Sequence, residues 1–185
     1  LLIPLAVLVL HALQAQGPAR LTQARQRLRE DYLKLPALAG EVALFMAAGC
    51  GGTVIASVIP VAWTSAIGAV LATSPFLACF ALIAIVIGLA FLAVHPVLTV
   101  VLVGTALPPA MVGLPVTVHM SVILVAWGVA SYVTPFSMIA LMAHRYSGHS
   151  VTTVTVTLNR GFAVIYLGLA ILFLGTIAMV LRGAG

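Results

Sequence analysis

Between Glu41 and Arg145 the chain runs for 103 residues without one Asp, Glu, Lys or Arg. No soluble fold can surface itself with such a stretch, because charged side chains are almost always held in water. Over all 185 residues 6% are charged and 63% hydrophobic, against about 25% charged in an ordinary soluble domain. The pattern excludes a soluble globular domain, a disordered chain and a disulfide-stapled secreted domain. It predicts an all-α integral membrane protein whose first partner is the lipid bilayer. The net charge of +5 belongs to the loops of such a protein. No basic face interleaved with aromatics exists, so nucleic acid is not an expected partner.

Residues 1–13 read as the end of a membrane helix, since the basic start and small-residue cleavage site of a signal peptide are missing. The chain is accordingly expected to be the C-terminal part of a longer protein. Residues 14–35 form a basic loop. Arg20, Arg25, Arg27, Arg29 and Lys34 outweigh Glu30 and Asp31, which puts 14–34 on the cytoplasmic side of the cell membrane. Leu21, Leu28, Tyr32 and Leu35 recur at roughly helical spacing and suggest an interfacial amphipathic helix.

The rest, 36–185, divides into a span over 36–58, an uncharged break with Trp63 over 60–65, and a helical hairpin over 68–107. A broken helix over 116–145, a polar segment over 146–158 and a last span over 160–182 follow. Gly49, Gly51 and Gly52 give the first span a smooth face for close helix approach. Glu41 is expected near the cytoplasmic interface. Cys50 and Cys79 read as packed small hydrophobes rather than a disulfide. If the hairpin re-enters and returns to the same side, Arg145 and Arg160 fall on the cytoplasmic side, as the positive-inside rule asks. A plain crossing by 68–94 would put them outside.

Two interruptions stand out in the uncharged stretch, His95-Pro96 and Thr134-Pro135. Irregular backbone at membrane depth survives only against protein or a water-lined cavity. Each break starts a half-helix whose free N–H groups and dipole favour an anion. Each also ends a half-helix in carbonyls able to hold Na⁺ or a proton-bearing group. Paired breaks of this kind mark midplane binding sites in secondary transporters. The candidate substrate and ion residues are His95, Pro96, Thr99, Thr105, Ser131, Thr134, Pro135 and Ser137. His95 is the one ionisable group deep in the stretch, either a proton carrier or anion contact, or a neutral cap of the hairpin tip. The hydroxyls bind a carboxylate without fixed charge, or simply bond the carbonyl one turn back. His119 reads as structural. His144 and His149 lack the companions of a zinc set. No HExxH, GxSxG or phosphate-binding loop occurs. The expectation is therefore not an enzyme and no metal or cofactor, apart from a coupling Na⁺ or H⁺.

The order span, re-entrant hairpin, broken helix, last span, over about residues 36–182, resembles the C-terminal repeat of the ion transporter superfamily, whose members include divalent anion–sodium symporters. The tip Val94-His95-Pro96-Val97-Leu98-Thr99 stands where that family has Ser-Asn-Thr. Val133-Thr134-Pro135-Phe136-Ser137 matches its Thr-Pro break, with Phe-Ser where Pro-Asn is common. The resemblance implies one half of an inverted-repeat transporter with an elevator-like motion. The missing N-terminal repeat is then the partner, a small organic anion the substrate, and a homodimer compatible. It also implies that Thr134, Pro135 and Ser137 border one ion or substrate site and His95, Pro96 and Thr99 the other. Because the tip and break depart from the family residues that hold sodium and carboxylate, the coupling ion and the anion stay open. The rival expectations are a non-transporting membrane scaffold subunit, with the breaks as packing kinks, and a cation–proton antiporter, against which the lack of a membrane-embedded Asp counts.

Overall fold

A computed structural model describes residues 26, 29–30, 32–33 and 39–183. The expected helix end over 1–13 lies outside the described residues, as does most of the basic segment 14–35. The described positions of that segment are helical, and Gln26 Nε2 donates to Glu30 Oε1 at 3.3 Å. The chain forms two compact units, residues 1–46 and 47–185.

All regular structure among the described residues is helical. The helices are α1 (Ala39–Val58), α2 (Val61–Ala72), α3 (Pro75–Phe91), α4 (Pro96–Ala106), α5 (Val116–Val133), α6 (Met138–Ser147) and α7 (Arg160–Gly183), with a π-helical turn at Thr153–Thr157. Among the described residues two helical stretches are long and apolar enough to cross a membrane, Val116–Ser147 and Arg160–Gly183. A third is reached if Val42–Val58 and Val61–Ala72, bent by 95°, count as one.

Prolines set the boundaries. Pro60, Ser74, His95, Pro115 and Thr134 all have ψ between 126° and 143° at helix ends. Ser74, His95 and Thr134 each precede a proline, whose ring drives the preceding residue out of the helical region. The first expected hairpin leg is corrected by this. The apolar run over 68–94 is two helices, because Ser74 caps a new one at Pro75 and its Oγ accepts from Leu77 N at 3.5 Å. The hairpin is therefore α3 and α4, not 68–107. The expected break over 60–65 shrinks to Ile59-Pro60, and Trp63 lies exposed within α2. The polar segment over 146–158 is helical for most of its length. Gly148 turns the chain at φ +69°, where glycine has no steric penalty. Ser150 Oγ then caps the next helical stretch by accepting from Thr153 N at 3.1 Å.

In the unit 47–185 the core is built around α3, which packs against α2, α4, α5 and α7. Ala78, Leu82, Val86 and Ala90 form one four-residue ridge, with Cys79 and Ile83 beside it. Val118, Val122, Ala126 and Ala130 form the matching ridge of α5, and Leu174 and Ala178 come from α7. Four-residue spacing places these side chains in one row, so each ridge seals against its neighbour. Cys79 is a buried small hydrophobe as expected, whereas Cys50 is exposed on α1. Gly52 does allow close approach, since a Cβ there would lie 2.9 Å from Val101 on α4; beside Gly49 there is only open space. Phe162, Ile165, Leu169, Leu172 and Phe173 of α7 point outward, the pattern of a helix solvated by hydrocarbon.

Two contacts fix how the long helices align. Arg182, at the end of α7, bonds the carbonyls of Gly113 and Ala72. Asn159, just before α7, bonds that of Tyr132 near the end of α5. The helices α5 and α7 thus run antiparallel, with Gly113 and Arg182 at one end and Tyr132 and Asn159 at the other.

Candidate functional site

The hairpin tip and the break in the α5–α6 stretch meet. A cavity of about 100 Å³ is lined by Ala90, Ala93, Val94, His95 and Pro96 from the first and by Thr134, Phe136 and Ser137 from the second. Four helix ends converge there. The helices α3 and α5 finish at the cavity, and α4 and α6 begin at it. Helix starts present N–H groups and positive dipole ends, and helix finishes present carbonyls. A small anion and a small cation can therefore both find ligands at one place without a charged side chain.

The local chemistry of each wall follows from the backbone. On α4, His95 is the N-cap, and its Nδ1 accepts from Val97 N at 3.3 Å. Pro96 has no N–H to offer, and its fixed φ suits the first helical position. Thr99 is fully buried, and its hydroxyl donates to the His95 carbonyl at 3.3 Å. On the other wall Thr134 is held extended at φ −96°, ψ 141° by the following Pro135. Its hydroxyl donates to Ala130 O at 2.8 Å, and the residue is almost fully buried. Ser137 caps α6 by accepting from Ala140 N at 3.0 Å, which leaves its own O–H proton able to donate into the cavity.

Four of the eight sequence candidates, His95, Pro96, Thr134 and Ser137, line this one cavity. Pro135 shapes the break without lining it, and Thr99 braces the tip from behind. Thr105 and Ser131 are not brought to the cavity. Thr105 is exposed on α4, and the Ser131 hydroxyl donates to Trp127 O at 2.9 Å. Thr105 shares the side of α4 expected from its spacing to His95 but stands at the far end of that helix, and Ser131 lies about one turn before the break.

Two residues with roles here are absent from that set. Ala93 adopts φ +62° at the tip. Val94 N donates to Leu89 O and Ala93 N to Ala90 O, both at 3.1 Å, which is a Schellman ending of α3 with alanine where glycine is usual. Asn159 is the chain's single asparagine. Its Nδ2 donates to Tyr132 O at 3.3 Å and to Val154 O at 2.9 Å. The Tyr132 carbonyl lies in the last turn before the break, so Asn159 supplies a donor that the interrupted helix no longer provides. A lone carboxamide at the mouth of an apolar run was the signal available for it.

The other histidines among the described residues hold backbone. The His119 Nε2–H donates to Leu107 O at 2.9 Å with the ring buried, and its Nδ1 has no partner. His144 Nδ1 donates to the His149 carbonyl across the Gly148 turn. Among the described residues no three His, Cys, Asp or Glu side chains cluster as metal ligands would.

Compared with protein-family models, with curated proteins and with solved structures, the chain matches none.

Proposed function

We propose that this chain is half of a secondary active transporter for a small organic anion, coupled to H⁺ or Na⁺, with the cavity between hairpin tip and break as its share of the binding site. The observation that carries this reading is the convergence of two helix starts, at Pro96 and Met138, on one cavity that also holds His95, Thr134 and Ser137. Helix starts stabilise a carboxylate through N–H groups and dipole. That matters at a site whose surrounding sequence has neither Lys nor Arg from 47 to 144. At about 100 Å³ the space suits an ion or a carboxylate group, well below the roughly 300–1,000 Å³ of a whole-ligand pocket. A second repeat, inverted relative to this one, would complete it. In this reading α3 and α4 are the re-entrant hairpin, and the site sits toward the Asn159 end of the α5–α7 pair, which the positive-inside rule assigns to the cytoplasmic side.

One observation favours the scaffold reading instead. The Thr99, Ser131 and Thr134 hydroxyls are each already bonded to a carbonyl one turn back, as hydroxyls at plain kinks are.

The experiment that separates the two is uptake of succinate, lactate and acetate by proteoliposomes holding the protein at its natural length. His95→Ala and Ser137→Ala should lower uptake at least roughly ten-fold, about 1.4 kcal/mol of lost stabilisation, while Thr105→Val and Ser131→Ala leave it unchanged. Equal uptake by all four variants, or no uptake of any probe by the wild type, favours the scaffold.

A further inference from the structure

A second cavity, of about 210 Å³, lies beside the first, between the ends of α3 and α5 and the start of α7. Ile87, Phe91, Val129, Val133, Ala163 and Leu167 make its apolar walls, and Arg160 is the one charged residue lining it. The buried Thr155 also lines it, but its hydroxyl is spent on Val151 O at 2.9 Å. Val164 and Phe91, on the rim, are exposed, so the groove is open at its side. An apolar groove with an exposed arginine at its edge has the chemistry of a site for an amphipathic anion, tail in the groove and head at the rim.

No acidic side chain of the same unit answers this charge. No Asp or Glu follows Glu41 in the sequence, so the unit 47–185 contains no carboxylate side chain to neutralise Arg160. The neighbouring side chains suit a lipid headgroup. Next to Arg160 a chain of rings runs from Tyr132 to Phe162, with centroids 5.9 Å apart, and on to Tyr166, 5.6 Å further. Aromatic rings with polar tips collect at the level where headgroups meet hydrocarbon. We infer that this groove binds an anionic phospholipid, with one acyl chain along Ile87, Val129 and Leu167 and its phosphate on Arg160. The planar guanidinium holds phosphate through paired hydrogen bonds. The groove shares the α3 and α5 ends with the smaller cavity, and a lipid seated in it would brace both breaks. The inference needs only the membrane setting and is independent of the transport reading.

The test is lipid retention. The protein at its natural length is reconstituted in nanodiscs of phosphatidylcholine with a minority of phosphatidylglycerol, extracted gently, and its bound lipid counted by native mass spectrometry. Wild type should retain phosphatidylglycerol in preference to phosphatidylcholine. Arg160→Gln should reduce that enrichment roughly five-fold, the effect of one basic residue at an anionic surface. Arg160→Lys should keep most of it, and Arg145→Gln, away from the groove, all of it. Val164→Trp, which fills the rim and leaves the charge intact, should also lose it. Enrichment unchanged in Arg160→Gln, or phosphatidylcholine retained equally well by wild type, overturns the proposal. So does a wild type that retains neither lipid, which would mean that protein covers the groove.

Discussion

Arg182 Nε donates to the carbonyl oxygen of Gly113 at 2.6 Å, joining residues 69 apart in sequence. Its Nη1 reaches Ala72 O at 3.4 Å. One side chain at the end of the last helix therefore holds both the end of α2 and the turn before α5. Gly113 has φ +63°, and a Cβ there would lie 2.6 Å from Arg182 Nη2. The glycine is required twice, for its backbone angle and for the room the guanidinium occupies.

Arg182→Gln and Gly113→Ala should each lower the thermal midpoint of the purified protein. We expect about 1 kcal/mol for the first, the low side for a charged donor because the side chain is solvent-accessible. The second should cost about 1–2 kcal/mol, from left-handed strain at a residue with a Cβ. Since both act on one contact, the double variant should cost less than the two added together. Strict additivity in the melting data would show that a methyl at Gly113 leaves the Arg182 contact undisturbed.

Ala93 at φ +62° makes a second stability prediction. An alanine in the left-handed region costs about 1–2 kcal/mol, and a β-branched residue is a genuine outlier there. The order of stability at this position should be glycine at or above alanine, with Ala93→Val lowest. Glycine gains from relief of strain and gives back roughly 0.4–1 kcal/mol through a freer unfolded chain. Chemical denaturation of the three forms in detergent reads the order directly. A valine form as stable as wild type would mean that the tip does not hold this angle.

Some of this was written plainly in the sequence. The apolar runs, the breaks at His95-Pro96 and Thr134-Pro135, and the close-packing face at Gly52 follow from local rules that need no tertiary context. The boundary at Ser74-Pro75 follows the same local rule, yet the apolar run across it masked it. Hydropathy does not distinguish one long helix from two short ones. That Thr134 and Ser137 face His95 while Ser131 does not depends on how α3, α4 and α5 rotate against one another, which no short motif encodes. The Arg182–Gly113 and Asn159–Tyr132 contacts join distant residues to backbone carbonyls, and a carbonyl leaves no mark in a sequence.

His119 closes the end of α4 by donating to Leu107 O at 2.9 Å from a fully buried ring. His119→Ala leaves that carbonyl without a donor and opens a hole in the core beside it. The unpaired carbonyl alone should cost about 1–3 kcal/mol. His119→Gln keeps a donor and should recover part of the loss. Thermal midpoints of the two variants test this, and equal destabilisation would show that packing, not the hydrogen bond, is what His119 provides.

Pro135→Ala addresses the break itself. The proline has no N–H for Ser131 O and keeps Thr134 extended, so α5 stops and α6 must begin anew. Alanine restores the donor and removes the restriction on Thr134, and helix is favoured over proline by about 3 kcal/mol at an interior position. α5 and α6 can then join into one helix over Val116–Ser147, a stretch of 32 residues. In a continuous helix the N–H groups of Met138 and Ile139 would bond the carbonyls four residues back, and the cavity would lose the donors proposed to hold the anion. The expected outcome is a protein at least as stable as wild type with its uptake abolished. Hydrogen exchange at Met138 and Ile139 should slow in the same variant, since both amides become internal. Slowed exchange with uptake intact would show that the start of α6 is not part of the anion site, and unchanged exchange would show that packing, not Pro135, keeps the helix broken.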